Sequence, residues 1–226
     1  MGDIVAISAG FKHNLALCED GSLWTWVKTI PARSATAKGE EVYSKEPLPV
    51  RVSKPEGMGN VLAISAGWFH NLALCEDGSL WAWGNNSSGQ IGNGKGGEED
   101  SKELLPVRVR KPEGMGNVVA ISAGAAHNLA LCEDGSLWAW GNNSSGQIGN
   151  AKGGEVYSKE FLPVPVRKPE DMGNIVTISA GALHNLALCE DGSLWAWGDN
   201  DSGQIGNGKG GEEDSEELLP VRVSKP

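Results

Sequence analysis

One stretch, Ala120 to Gly149 (A-I-S-A-G-A-A-H-N-L-A-L-C-E-D-G-S-L-W-A-W-G-N-N-S-S-G-Q-I-G), occurs four times, its first copy altered towards the end. His13, His70, His127 and His184 stand 57 residues apart, and so do Cys18, Cys75, Cys132 and Cys189. Trp24, Trp81, Trp138 and Trp195 keep the same step. A fixed period of this size belongs to repeat architectures, in which each unit buries its apolar face against its neighbour. The expected organisation is a single repeat domain over residues 1–226, with repeats at 2–58, 59–115, 116–172 and 173–226.

Within repeat three, Val118 to Ala123 is short, apolar and rich in β-branched residues, which predicts a first strand. Leu129 to Cys132 predicts a second. The Asp134-Gly135 pair that follows is a hairpin signal, because the tight turn needs positive φ. Leu137 to Trp140 reads as a third strand with both tryptophans on one face and Leu137 and Ala139 on the other. Gly141 to Gly149 is a compact turn, and Asn150 to Glu160 a polar loop. Leu162 to Val166 is a fourth strand, confined to an edge by Pro163 and Pro165. Four short antiparallel strands per unit predict a β-propeller blade. Helical repeats would need a 3.6-residue apolar period, which is absent.

The net charge of −10 and pI near 4.9 argue against nucleic acid or an anionic membrane as partner, since both select basic surfaces. Each repeat carries one cysteine at the same place. Symmetric units hold such atoms too far apart for disulfides, so free, partly buried thiols are expected. No secretory leader or long apolar run is visible, which fits a cytoplasmic location or a segment of a larger protein.

The joint pattern Ala-Gly-x-x-His-x-x-Ala-Leu, Asp-Gly-x-x-Trp-x-Trp-Gly, Asn-x-x-Gly-Gln-Ile-Gly and Pro-Val-x-Val resembles the regulator of chromosome condensation repeat. It covers almost all of repeats two to four and most of repeat one. The resemblance implies an all-β propeller with four-stranded blades set around a central channel. It commonly implies seven blades, whereas this chain supplies four. A four-bladed piece either closes alone or pairs with a second copy into an eight-bladed ring. The wedge angle of blades from larger rings favours the pair, a homodimer through blade edges.

Repeat one departs from its sisters after Trp26. Where they read Gly-Asn-Asn-Ser-Ser-Gly-Gln-Ile-Gly-Asn, it reads Val27 to Thr36 (V-K-T-I-P-A-R-S-A-T). A one-base shift of suitable Asn-Asn-Ser-Ser codons gives Thr-Ile-Pro-Ala, and of Gln-Ile-Gly-Asn codons gives Arg-Ser-Ala-Thr, with the intervening glycine codon lost. A compensated frameshift is therefore the expected origin, and Val27 to Lys45 is expected to be poorly ordered or to follow a different path. In a two-chain ring this altered turn is expected near the seam between chains. Near-identical copies point to recent amplification or to construction from one template.

No chemistry stands out. Histidines at 57-residue steps inside a fixed motif read as blade-stabilising groups bonded to their own backbone, not as metal ligands. The cysteines lack the short pairs of structural zinc sites. Asp199-Asn200-Asp201-Ser202-Gly203 has Gly210 where a calcium loop needs glutamate, and sister copies form the turn from Asn-Asn-Ser-Ser-Gly. Ser122 and His127 have no acidic orienter and recur in every blade, so no catalytic residue is assigned. No cofactor fingerprint is present, and no enzyme activity is expected. The tryptophan pairs read as blade-to-blade packing. The acidic run of Glu212, Glu213, Asp214, Glu216 and Glu217 reads as a solvated loop suited to a basic partner.

The copies disagree most usefully between the first-strand glycine and the histidine. The pairs there are Phe11-Lys12, Trp68-Phe69, Ala125-Ala126 and Ala182-Leu183. These positions lie in the loop joining strands one and two, and loops on a rigid scaffold carry recognition. Phe11, Trp68, Phe69 and Leu183 would supply an apolar, aromatic patch for a protein partner. A Gly-Trp-x-His motif at Trp68 also resembles the plant ultraviolet-B photoreceptor branch, but one tryptophan does not supply a light-sensing cluster. The expected function is a non-enzymatic protein-interaction or structural scaffold. The alternatives are nucleotide exchange on a small GTPase, by resemblance, and binding of a sugar or other small ligand.

Overall fold

In a computed structural model, residues 1–27, 48–211 and 215–224 are described. The expected rerouting of the altered turn in repeat one, and Glu212 to Asp214 of the acidic run, lie outside them beyond Val27. The described residues form sixteen strands in four four-stranded antiparallel sheets, one per repeat. The first sheet holds β1 (Ile4–Ala9), β2 (His13–Cys18), β3 (Leu23–Val27) and β4 (Val50–Arg51). The second holds β5 (Val61–Ala66), β6 (His70–Cys75), β7 (Leu80–Asn85) and β8 (Lys102–Arg108). The third holds β9 (Val118–Ala123), β10 (His127–Cys132), β11 (Leu137–Asn142) and β12 (Lys159–Pro165). The fourth holds β13 (Ile175–Ala180), β14 (His184–Cys189), β15 (Leu194–Gly198) and β16 (Glu217–Arg222). None of these elements is a helix, so no described helix could cross a membrane.

Strand order within each sheet follows the chain, which leaves the proline-bearing fourth strand at the outer edge. Pro165 there sits opposite Trp138. The hairpin between second and third strands closes through Glu-Asp-Gly-Ser. Asp134 Oδ1 accepts the Ser136 amide at 2.9 Å, and Gly135 takes φ +78, which a side chain would resist. The same hydrogen bonds to Ser22, Ser79 and Ser193 hold the Asp20, Asp77 and Asp191 carboxyls below their usual range.

The core lies between sheets, in three clusters. Leu72, Leu74, Leu80 and Ala82 of the second sheet pack on Val118, Trp138 and Trp140 of the third, joined by Met115 from the link between them. Leu129, Leu137 and Ala139 leave the third sheet from its opposite face to meet Trp195 and Trp197. Leu15, Leu17 and Leu23 meet Trp81 and Trp83 in the same way. Each blade thus presents a leucine face forwards and a tryptophan face backwards, as the alternation Leu-Trp-Ala-Trp dictates. No such cluster joins the fourth sheet to the first among the described residues, so the four blades form an open arc. The four cysteines are free and buried.

Candidate functional site

In the first three blades the histidine at the start of the second strand points into the seam with the next blade. His70 Nε2 lies 2.7 Å from Asn128 Oδ1, His13 Nε2 2.7 Å from Asn71 Oδ1, and His127 Nε2 2.8 Å from Asn185 Oδ1. The expected partner was the histidine's own backbone. The structure corrects this: the partner is an asparagine side chain one blade on. Asn128 and Asn185 donate through Nδ2 to the Gln90 and Gln147 carbonyls at 2.8 and 2.7 Å. Their Oδ1 atoms must therefore accept, which places the proton of His70 and His127 on Nε2. Nδ1 of each is buried without a hydrogen-bond partner. Burial therefore holds both imidazoles down at a pKa of about 4, against hydrogen bonds to the asparagines that favour the charged form.

The Gly-Asn-Asn-Ser-Ser-Gly-Gln-Ile-Gly turn supplies the other half of the seam. Asn85 Oδ1 accepts from the Ser87 amide, the Ser87 hydroxyl and Gln90 Nε2, folding the turn on itself. Asn86 Oδ1 accepts the Ile91 amide at 3.0 Å. The turn then offers the Gln90 carbonyl to Asn128 and to Trp140 Nε1, the latter at 3.1 Å. Trp197 Nε1 bonds the Gln147 carbonyl in the same way. Sequence reasoning read this segment as a turn and missed its part in joining blades. The available signal was that the Asn after each His recurs in all four copies and the Gln in repeats two to four.

At the seam between the first and second blades Trp83 Nε1 is buried with no hydrogen-bond partner among the described residues. The expected place of the altered turn near a seam between chains concerns residues 28–47, which lie outside those described. The serines of the first strands also join blades: Ser8, Ser65 and Ser122 Oγ accept the amides of Ala66, Ala123 and Ala180 at 2.9–3.0 Å. Ser122 is thus part of the seam. Among the described residues no group of three or more His, Cys, Asp or Glu is placed to hold a metal.

The first-strand glycines converge at the mouth of the arc. A Cβ on Gly67 would strike the His70 ring and come 2.5 Å from the Gly124 carbonyl oxygen, so only glycine fits. Gly10, Gly67, Gly124 and Gly181 line a cavity of about 260 Å³, with Phe11, Trp68 and Ala125 also in its wall.

Of the varying loop residues, the structure brings Phe11, Lys12, Trp68 and Phe69 together. Phe11 stacks on Trp68 at 5.1 Å, and Phe69 meets the two rings edge-on at 5.7 and 6.3 Å. Lys12 Nζ lies 5.3 Å over the Phe11 ring. Phe11 and Trp68 are exposed. Ala125 is buried and Ala126 half-buried. Ala182 is exposed and Leu183 half-buried on the fourth blade, outside the three-ring stack. The second residue of each pair also has a backbone duty: the carbonyls of Phe69, Ala126 and Leu183 accept amides at the ends of β7, β11 and β15.

The sequence profile of the RCC1-like domain matches residues 1–226. The chain is 33% identical over 205 residues to a probable E3 ubiquitin-protein ligase, HERC6 of Homo sapiens, covering 88% of this chain and 19% of the relative. It is 30% identical over 230 residues to protein pim1 of Schizosaccharomyces pombe, covering 98% and 41%. Among solved structures, human WBSCR16 superposes with a TM-score of 0.78 at 23% identity, over the whole chain and 54% of that structure. Prp20p of Saccharomyces cerevisiae superposes at 0.75 and 24% identity, over 98% and 50%. The chain thus spans less than half of these curated relatives. A whole-chain profile match, with the four-stranded blades and their His–Asn–Gln seams, establishes that the chain belongs to the RCC1-like domain family.

Proposed function

We propose that the chain is a protein-binding scaffold whose recognition surface is the loop face between first and second strands. The observation that carries this is the stack of exposed Phe11 and Trp68 with half-buried Phe69, built at positions where otherwise near-identical copies differ. Rigid blades hold these rings in place, so little ordering entropy is lost on binding. Aromatic anchors are the side chains on which interface energy concentrates. The net charge of −10 favours a basic partner. Prp20p, a structural neighbour, was studied for its binding to Gsp1p and histones.

The test is calorimetric titration of the chain with core histones and with a Gsp1-type GTPase. Binding to either that weakens at least tenfold in a Phe11→Ala/Trp68→Ala variant supports the reading; binding unchanged in that variant, or no binding to either, defeats it. Accelerated nucleotide release from the GTPase would instead favour an exchange factor.

A further inference from the structure

We propose that two copies of this chain join head to tail, the last blade of each against the first blade of the other, into a closed ring of eight blades. The two open faces of the arc are the two halves of the seam that it already makes three times.

On the backward face of the first blade, Met1, Ile4 and Ile7 are 58%, 47% and 76% exposed. Their counterparts inside seams are covered: Met58 and Val61 are each 7% exposed, and Ile64 packs against the first cluster. On the forward face of the fourth blade, Leu188 is 36% exposed, whereas Leu17, Leu74 and Leu131 are 2–4%.

The polar groups are complementary too. His184 has no asparagine partner among the described residues, although His13, His70 and His127 each have one. Asn14, the first-blade equivalent of Asn71, Asn128 and Asn185, is half-buried and makes no side-chain hydrogen bond among the described residues, and Trp26 Nε1 is likewise without an acceptor. The Gln204 carbonyl of the fourth blade stands where Gln90 and Gln147 accept from exactly such a pair in their own seams.

Every recognition element needed for this junction is intact. The fourth blade keeps its folded turn, with the Ile205 amide donating to Asn200 Oδ1 at 3.0 Å. A second copy is the occupant because it carries both complementary faces, and because one arc matches about half of the propellers it superposes on. Two equal junctions related by a two-fold axis close the ring and leave no edge for further growth. This inference is independent of the loop-face reading.

The experiment is the mass of the full chain by light scattering across a micromolar concentration series, for wild type and for Ile7→Arg and Leu188→Arg. Both side chains are exposed in the arc, so each variant should keep the wild-type circular dichroism, which is checked alongside. The expected result is twice the 23.8 kDa chain mass for wild type and a single chain mass for each variant. Wild type at one chain mass throughout would overturn the proposal, the faces then taking a different occupant. So would a dimer that survives Ile7→Arg, which would mean like faces pairing, or growth beyond two chains.

Discussion

The hydrogen bond from His70 Nε2 to Asn128 Oδ1, 2.7 Å long and fully buried, ties the second blade to the third and fixes which nitrogen of the imidazole is protonated. Asn128 is the middle of a relay that runs from His70 through its own amide to the Gln90 carbonyl. Replacing it by alanine leaves His70 Nε2 without an acceptor in a dry seam. Asn128→Ala should cost about 2–4 kcal/mol, read from urea unfolding followed by tryptophan fluorescence.

Acid should open the same seams. His70 and His127 ionise at about 4 in the folded chain, against 6.5 unperturbed. The unfolded chain therefore binds more protons between those values, and stability rises with pH across that window. It is fully present above pH 6.5 and is lost as pH falls towards 4, by roughly 3 kcal/mol per histidine once both are charged. Urea midpoints measured from pH 7.5 to 4 should fall steeply below about 6.5, and a His70→Gln variant should show a shallower slope.

Two glycine substitutions separate crowding from backbone strain. A Cβ on Gly124 would strike the His127 ring and lie 2.6 Å from the Gly181 carbonyl oxygen. Gly124→Ala should cost about 3 kcal/mol or more, because neither neighbour can move without breaking the seam. Gly57 has open space around it but φ +83, so Gly57→Ala should cost only about 1 kcal/mol. Thermal unfolding of the two variants side by side checks the ranking.

Ala151 offers the reverse case. It adopts φ +62 at the position where sister repeats have Gly94 and Gly208, both at φ +78. Ala151→Gly should stabilise the chain by about 1 kcal/mol, seen as a raised urea midpoint with unchanged slope.

Restoring the sister sequence Gly-Asn-Asn-Ser-Ser-Gly-Gln-Ile-Gly-Asn at positions 27–36 should give Trp83 Nε1 the carbonyl that Trp140 and Trp197 already have. The expected gain is about 1–2 kcal/mol. Trp83→Phe in the restored chain should remove most of it, and the indole N–H resonance of Trp83 should shift downfield on restoration.

Much of this arrangement is legible in the residues. Leu137-Trp138-Ala139-Trp140 alternates with a period of two, and that alone assigns the tryptophans and Leu137 to opposite seams. Val118 to Ala123 is the same strand by sequence and by structure. The second strand begins at His127, two residues before its apolar run, because the histidine's backbone pairs with Gly141 while its side chain crosses the seam. Backbone carbonyls were the unreadable part. Nothing in the letter Q at Gln90 says that its main-chain oxygen serves Asn128 and Trp140; that depends on the path of a turn set by Asn85 and Asn86. The Phe11–Trp68 stack was readable as composition but not as contact, since it requires adjacent loops to open on the same side.

The leucine-forward, tryptophan-backward build of every blade has a consequence for how the chain finds its fold. The forward face of the second blade fits the backward face of the fourth nearly as well as that of the third, since the same side chains stand on both. Discrimination between neighbours falls to the short links that carry Met115 and Met172 into their seams, not to any lock peculiar to one junction. A chain written this way can gain or lose whole blades by duplication or deletion without redesign. It also carries, in each added copy, one more chance of docking out of turn while it folds.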